Sequence, residues 1–188
     1  MRLRHKLPGL FLALAAVAAF AQQVPRPSAE FALSTSDGGQ ILLSHYSGKV
    51  VLLACMFTTC PHCQHSTQIL NAIQKDYADR GLQIVGAFFN ENAIQLVPGF
   101  IAQFHPAFPV GSASREQVNE YLQHPPGKPT YVPEMVFIDR NRIVRAQYSG
   151  EIDFFKDQDK NIRAMVDSLL KEPVASRKNG RSAHKKPS

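Results

Sequence analysis

Cysteine is scarce in this chain of 188 residues, which contains three cysteines and no tryptophan. Three cysteines are too few for a small fold held together by disulfide bridges, whereas 44% apolar residues are enough to form a hydrophobic core. No internal repeat is visible, so a repeat array is excluded. The length therefore indicates one domain with modest extensions.

Clustered basic residues on the folded body are also missing, although the formal net charge is +6. Of the 21 basic residues, three lie near the N-terminus and five in the segment 174–188, which leaves 13 against all 15 acidic residues. A nucleic-acid interface requires basic side chains clustered on the body of a protein, so we expect no nucleic-acid partner. The polar, basic segment 174–188 is predicted to be a disordered tail.

Residues 1–21 have the pattern of a secretory signal peptide. A basic stretch, MRLRHK, precedes an apolar run, LPGLFLALAAVAAF, and the tripeptide AFA at 19–21 fits a cleavage site. The apolar run is short for a membrane span, and the alternative is an uncleaved anchor that tethers the protein to the membrane. We therefore expect a linker over 22–27 and an extracytoplasmic, periplasmic type of location, where disulfides persist.

Strand-like and helical patterns over residues 28–173 predict an α/β domain with a central mixed sheet flanked by helices. Two short strand-like runs around the Asp-Gly-Gly turn at 37–39 predict an N-terminal β-hairpin. Continuous apolar runs at 50–57 and 82–89 predict buried strands on either side of a helix. Together they form a right-handed βαβ unit.

An insert over residues 90–122 separates this βαβ unit from a C-terminal ββα half. The insert is predicted to contain a helix with Pro98 near its first turn, a short strand, and a helix capped by Ser114 and Gln117. Two strands around the turn at 139–142 follow, and the last helix should end before Pro173.

The segment TTCPHCQHS, at residues 58–66, places two cysteines where the first buried strand gives way to a helix. Cys60 would precede the helix and Pro61 would be its first residue, where a missing N–H costs nothing. Cys63 would follow one turn later, about 5–6 Å away between Cα atoms, which suits a disulfide. Free N–H groups and the helix dipole favour a thiolate at Cys60. The pair thus predicts thiol–disulfide exchange.

Other uses of the cysteine pair fit the sequence less well. A structural zinc site needs four ligands, and the nearby His62 and His65 supply no second half-site. Covalent haem requires His directly after the second cysteine, where Gln64 stands. An inert structural disulfide closing so short a loop would add little stability. We expect no metal and no cofactor, and Cys55, in a strand, is predicted to be a buried apolar residue.

Four stretches of the chain carry a family resemblance: GKVVLLACMFTTCPHC, GLQIVGAFFNEN, AFPVG and YVPEMVFIDRNRIVRAQYSG. They resemble the TlpA/ResA-like branch of thioredoxin-fold proteins over about residues 28–172. The resemblance implies a thioredoxin-like fold, with Cys60 as the attacking and Cys63 as the resolving cysteine. It places Val132-Pro133 in a cis-proline loop that faces them. Protein thiols and disulfides are the expected substrates, and we expect a monomer reset by a membrane redox partner.

Three positions depart from the family pattern. The aromatic residue usual before the first cysteine, the buried acid of thioredoxins and a glutamate after the second cysteine are replaced by Thr59, Ala54 and Ser66. The usual proton acceptor for the resolving thiol is therefore missing, and the candidates to replace it are His62, His65 and Glu134.

The dipeptide Pro61-His62 resembles that of the DsbA oxidases, which are strong oxidants. A partly protonated His62 would favour the Cys60 thiolate and make the disulfide more oxidising. The predicted catalytic set is Cys60, Pro61, His62, Cys63 and Pro133.

Two alternative functions stay open on the sequence. A peroxidase of the peroxiredoxin class would need Pro and Thr where Leu53 and Phe57 stand. A non-enzymatic partner in copper handling or haem maturation would use the CPHC segment for docking or for metal, since thiolates bind Cu(I) well.

Overall fold

The computed structural model describes residues 24–173. Its strands are β1 (Arg26–Pro27), β2 (Ala32–Ser34), β3 (Gln40–Leu42), β4 (Val50–Met56), β5 (Leu82–Phe88), β6 (Val110–Ser112), β7 (Glu134–Ile138) and β8 (Ile143–Tyr148). The helices are α1 (Pro61–Tyr77), α2 (Ala93–Phe104), α3 (Arg115–Leu122) and α4 (Gln158–Lys171). Short 3₁₀ turns cover Leu43–Tyr46, Ala78–Arg80 and Asp153–Asp157.

The eight strands form one mixed sheet in the order β1-β8-β7-β4-β5-β6-β2-β3. Strand β4 lies in the middle, parallel to β5 and antiparallel to β7, and every one of its residues is buried. A strand covered on both faces must be apolar throughout, which explains the unbroken run VVLLACM. The predicted α/β class with a mixed sheet, the βαβ unit and the insert that adds β6 are confirmed.

Alternate residues of β4 point into two separate cores. Leu52, Ala54 and Met56 face the core formed with α1, α2 and α4, which we call the α1 face. Leu53 and Cys55 face the core formed with α3 and the N-terminal segment around Phe31 and Leu33, the α3 face. A side chain on the sheet therefore contacts one set of helices or the other.

Capping and turn signals in the sequence agree with the structure. Ser114 Oγ accepts from the Gln117 N–H at 3.1 Å, and the Gln117 side chain accepts from the Ser114 N–H at 2.9 Å. This is the predicted capping box of α3. The predicted N-terminal hairpin is present as β2 and β3.

The position of Pro98 was predicted wrongly. Helix α2 begins at Ala93, so Pro98 lies in its interior rather than in its first turn. The helix starts early because the Ala93 N–H donates to the Asn90 carbonyl at 3.1 Å and closes a turn there. Pro98 is exposed, so water can serve the carbonyl of Ile94, which loses its helical partner.

The sheet begins before residue 28, the expected start of the domain. Arg26 and Pro27, expected in a linker, pair with Val144 and Ile143 at the edge of the sheet. The predicted signal peptide and C-terminal tail lie outside the described residues. Among residues 24–173, no helix has the length and apolar character needed to cross a membrane.

Candidate active site

Cys60 lies between the end of β4 and the start of α1. It is the N-cap residue, with an extended backbone (φ −83°, ψ 119°), and Pro61 follows as the first helical residue, as predicted. The Cys60 side chain makes no capping hydrogen bond to the helix, and its thiol is partly exposed. A substrate can therefore reach this sulfur at the N-terminal end of α1.

Cys63 lies one turn further along α1 and is buried, with 0% of its surface exposed. Burial raises the pKa of the Cys63 thiol far above its ordinary value, and its hydrogen bond with Cys60 acts in the same direction. A backbone hydrogen bond from Phe57 opposes the shift. Both cysteines are free thiols in this structure. The two sulfurs are thus close together, but one is accessible and the other is buried and neutral.

The loop at Val132-Pro133 packs against Cys60. Cys60 Sγ lies 4.0 Å from the Val132 carbonyl oxygen, and the Val132–Pro133 peptide bond is cis, as the resemblance implied. Gly150 packs against the same loop, and its N–H donates to the Tyr131 carbonyl at 3.2 Å. A Cβ at Gly150 would lie 2.8 Å from the Val132 carbonyl carbon, so only glycine permits this approach.

A groove of about 310 Å³ opens where the start of α1 meets the loop at Pro133. The exposed His62 and His65 line it, together with Pro133. Glu151 and the exposed apolar side chain of Ile152 also line it. The predicted site residues Cys60, Pro61, His62, Cys63 and Pro133 are therefore gathered at one edge of the sheet.

Neutral groups occupy both positions where the family places an acid on the α1 face. Ala54 is fully buried. Ser66 is buried too, and its hydroxyl accepts a hydrogen bond from Gln158 Nε2 at 2.9 Å. This pair satisfies its own polar atoms and brings no charge near Cys63.

Glu134 lies on the other side of the sheet. It pairs across the sheet with Cys55, which places both side chains on the α3 face, away from α1. Its carboxylate accepts from Gln147 Nε2 at 2.7 Å, and Gln147 in turn accepts from Arg26 at 2.7 Å. Of the three candidate proton acceptors, His62 and His65 therefore lie beside the groove and Glu134 does not. Cys55 is buried, as predicted.

The buried Glu134 should make stability depend on pH. Burial raises the pKa of its carboxyl, and Glu151 adds to the effect, while Gln147, His124 and Arg26 oppose it. A raised folded-state pKa gives stability that is complete below the unfolded value, about 4.3, and is lost as pH rises through the folded value.

Glu134→Gln keeps an oxygen that can accept from Gln147 but removes the titration. We expect its unfolding free energy in urea to exceed that of the wild type at pH 8, with a smaller difference at pH 4. Glu120→Gln, which removes an exposed charge, is the control. Parallel stability curves for Glu134→Gln and the wild type would show that the carboxyl does not titrate in this way.

Sequence reasoning missed several residues that hold the site. Asn90 and Gln64 bind the peptide of Thr58, and Gly150 supports the loop at Val132. Asn90 follows β5, which is parallel to β4, so the two strands end at the same edge of the sheet. That topological signal could have identified Asn90, whereas nothing local distinguishes Gly150.

Among residues 24–173, no three His, Cys, Asp or Glu side chains come together in an arrangement that could hold a metal ion.

Comparison with known proteins assigns the chain to a family. The family model described as Redoxin matches residues 21–164. The thiol-disulfide oxidoreductase ResA of Bacillus thuringiensis subsp. konkukian is 25% identical over 130 residues, covering 69% of this chain and 71% of its own length. ResA of Geobacillus thermodenitrificans is 28% identical over 122 residues, covering 64% of this chain and 66% of its own.

Solved structures agree with the fold. A thiol:disulfide interchange protein of the thioredoxin family from Chlorobium tepidum TLS superposes with a TM-score of 0.64 and 25% identity, covering 80% of this chain and 99% of that chain. The fold is therefore thioredoxin-like, and the resemblance to the TlpA/ResA-like branch is confirmed.

Proposed function

The chain belongs to the Redoxin family, and we propose that it is an extracytoplasmic thiol–disulfide oxidoreductase whose redox couple is Cys60 and Cys63. The observation that carries this proposal is the asymmetry of the pair: Cys60 is accessible at the start of α1, while Cys63 is buried behind it. The similarity to proteins named thiol-disulfide oxidoreductase supports the same activity.

In the reducing direction, the Cys60 thiolate attacks one sulfur of a substrate disulfide. A bond forms between the two sulfurs, and the other substrate sulfur leaves as a thiolate. Cys63 then loses its proton and attacks Cys60 Sγ, which releases the second substrate thiolate and leaves a Cys60–Cys63 disulfide. Two electrons pass from the protein to the substrate, and the reverse sequence oxidises a substrate dithiol.

The raised pKa of the Cys63 thiol has a role in this sequence. A neutral Cys63 does not compete for the substrate, so the mixed disulfide forms at Cys60. Once Cys60 is in the mixed disulfide, its thiol no longer hydrogen-bonds to Cys63, and one contribution to the raised pKa disappears. In this proposal His62 and His65, which line the groove, accept the proton through water.

Protein substrates suit the groove next to Pro133. An extended segment bearing a cysteine can lie along it, with an apolar side chain on Ile152 and polar groups near His65 and Glu151. The leader-like residues 1–21 support an extracytoplasmic location. A membrane protein that exchanges electrons with Cys60–Cys63 would return the couple to its working state.

The reduction potential of the Cys60–Cys63 couple tests this function directly. Potentials run from about −270 mV for thioredoxin to about −120 mV for DsbA, and we expect a value above about −200 mV. The basis is the Pro-His dipeptide and the absence of a charged acid at Ala54 and Ser66. Titration in glutathione redox buffers with thiol trapping measures it, and Cys60→Ser is the control that should show no redox transition. A wild-type protein that also shows none would refute the proposed function.

His62→Pro tests whether this dipeptide sets the potential. We expect the potential to fall by at least about 30 mV, a tenfold change in the equilibrium constant for two electrons. His65→Ala, one turn further along α1, serves as the matched control and should shift the potential less. A value near that of thioredoxin that does not move with His62→Pro would favour a dedicated reductant instead.

A further inference from the structure

The peptide of Thr58 joins β4 to Cys60 and is held by side chains from two other elements. Thr58 is 6% exposed, and the Asn90 Oδ1 atom accepts from its N–H at 2.9 Å and from its hydroxyl at 3.3 Å. Gln64 Nε2 donates to the Thr58 carbonyl at 3.0 Å. All three polar groups of this residue are therefore bound to amide side chains.

Asn90 is itself held firmly. It follows Phe89, the residue after β5, whose N–H donates to the carbonyl of Met56 in β4 at 3.2 Å. The Asn90 Nδ2 atom donates to the Glu91 carbonyl at 3.0 Å, which fixes the orientation of its amide. The backbone carbonyl of Asn90 accepts from Ala93 at the start of α2. The side chain that accepts from Thr58 is thus held by hydrogen bonds just after the end of β5.

Gln64 approaches the same peptide from the helix. It lies in the first turn of α1, where its N–H donates to the Cys60 carbonyl at 3.0 Å. Its side chain therefore ties the carbonyl of Thr58, two residues before Cys60, to the helix after Cys60. Between these two anchors, the Cys60 N–H donates to the Phe57 carbonyl at 3.3 Å and closes a tight turn.

We propose that Asn90 and Gln64 are positioning residues that hold Thr58 and so keep the Cys60 sulfur at the start of α1, 4.0 Å from the Val132 carbonyl oxygen. They act on Cys60 through Thr58. A buried N–H and carbonyl need partners, and here strand pairing has already ended. The side chains of Asn90 and Gln64 replace strand pairing at Thr58, two residues before the nucleophile. The effect on disulfide exchange rests on the function proposed above, but the effect on Cys60 reactivity does not.

The rate at which iodoacetamide alkylates Cys60 in the reduced protein at pH 7 measures this positioning without any substrate. Cys63 is buried, so the reagent reacts at Cys60. We expect Gln64→Ala and Asn90→Ala each to slow alkylation of Cys60 by about three- to tenfold, since small displacements of a reacting group cost large factors in rate. In the double variant, the loss in alkylation rate should be smaller than the product of the two single losses and closer to the larger of them, because both side chains bind the same residue, Thr58.

Two controls separate positioning from stability. Gln68→Ala removes an exposed amide one turn after Gln64 and should alkylate like the wild type. Thr58→Ser retains all three polar groups, and Thr58→Val loses only the hydroxyl. Alkylation should therefore be slowed less by Thr58→Ser than by Thr58→Val, and less by Thr58→Val than by Asn90→Ala.

Melting temperatures recorded on the same samples complete the experiment. The proposal would be overturned if Gln64→Ala and Asn90→Ala lowered the melting temperature but left the alkylation rate of Cys60 at the wild-type value. The hydrogen bonds to Thr58 would then contribute only to stability. Slower alkylation of these variants in a protein that exchanges no disulfides would uphold the positioning role and reject the proposed function.

Discussion

Cys63→Ser is expected to leave the protein covalently attached to disulfide substrates through Cys60. The accessible Cys60 still forms the mixed disulfide, but the buried group that would resolve it is now a hydroxyl. Turnover should fall by roughly a thousandfold or more, as when other enzymes lose a group that acts covalently. Incubation with a peptide disulfide, followed by non-reducing electrophoresis and mass measurement, detects the adduct.

Two matched serine variants define the roles. Cys60→Ser should trap no peptide, because Cys63 has 0% exposure and burial keeps its thiol neutral. Cys55→Ser should behave like the wild type in exchange, since Cys55 faces the α3 core. Equal trapping by Cys60→Ser and Cys63→Ser would mean that either sulfur can attack a substrate. It would contradict the assignment of the accessible Cys60 as the nucleophile.

Gly150→Ala is expected to reduce exchange by about tenfold to a hundredfold, because a misplacement of about 1 Å at a reactive site can cost a factor of that size. The added Cβ would lie 2.8 Å and 2.9 Å from the Val132 carbonyl carbon and oxygen. These are backbone atoms that cannot rotate away, so the loop beside Cys60 must move. Overpacking of this kind also destabilises by about 1–3 kcal/mol.

Gly99→Ala is the control for this substitution. Gly99 lies inside α2, and a Cβ there meets nothing within 4 Å. Alanine should therefore leave exchange unchanged and stabilise the protein by about 0.5–1 kcal/mol. Exchange rates and urea unfolding of both variants should be measured together. If Gly150→Ala exchanged disulfides at the wild-type rate, the backbone at residue 150 must have moved instead of the Val132 loop.

Local sequence patterns were enough to predict most of the elements that carry the site. The run VVLLACM predicted a strand buried on both faces, and the Cys-Pro start of α1 follows from the preference for proline at the first helical residue. Both signals lie within a few neighbouring residues. The prediction failed at Pro98, because a turn at Asn90 started α2 one turn earlier.

Glu134 shows what a local pattern cannot determine. In sequence it was as good a replacement for the missing acid as His62 or His65. The register of β7 against β4 places it opposite Cys55, and a shift of one residue would have turned it toward the other face. Only the pairing of strands far apart in the chain decides such a question.

The sequence by itself determined that Cys60 and Cys63 lie about one turn apart at the start of a helix, because spacing and helix geometry are local properties. Tertiary structure alone decided which sulfur is accessible, where Glu134 points, and that Asn90 and Gly150 hold the loops around Cys60. Each of these depends on packing between segments that are distant along the chain. Burial, hydrogen-bond partners and close backbone contacts arise only when those segments meet.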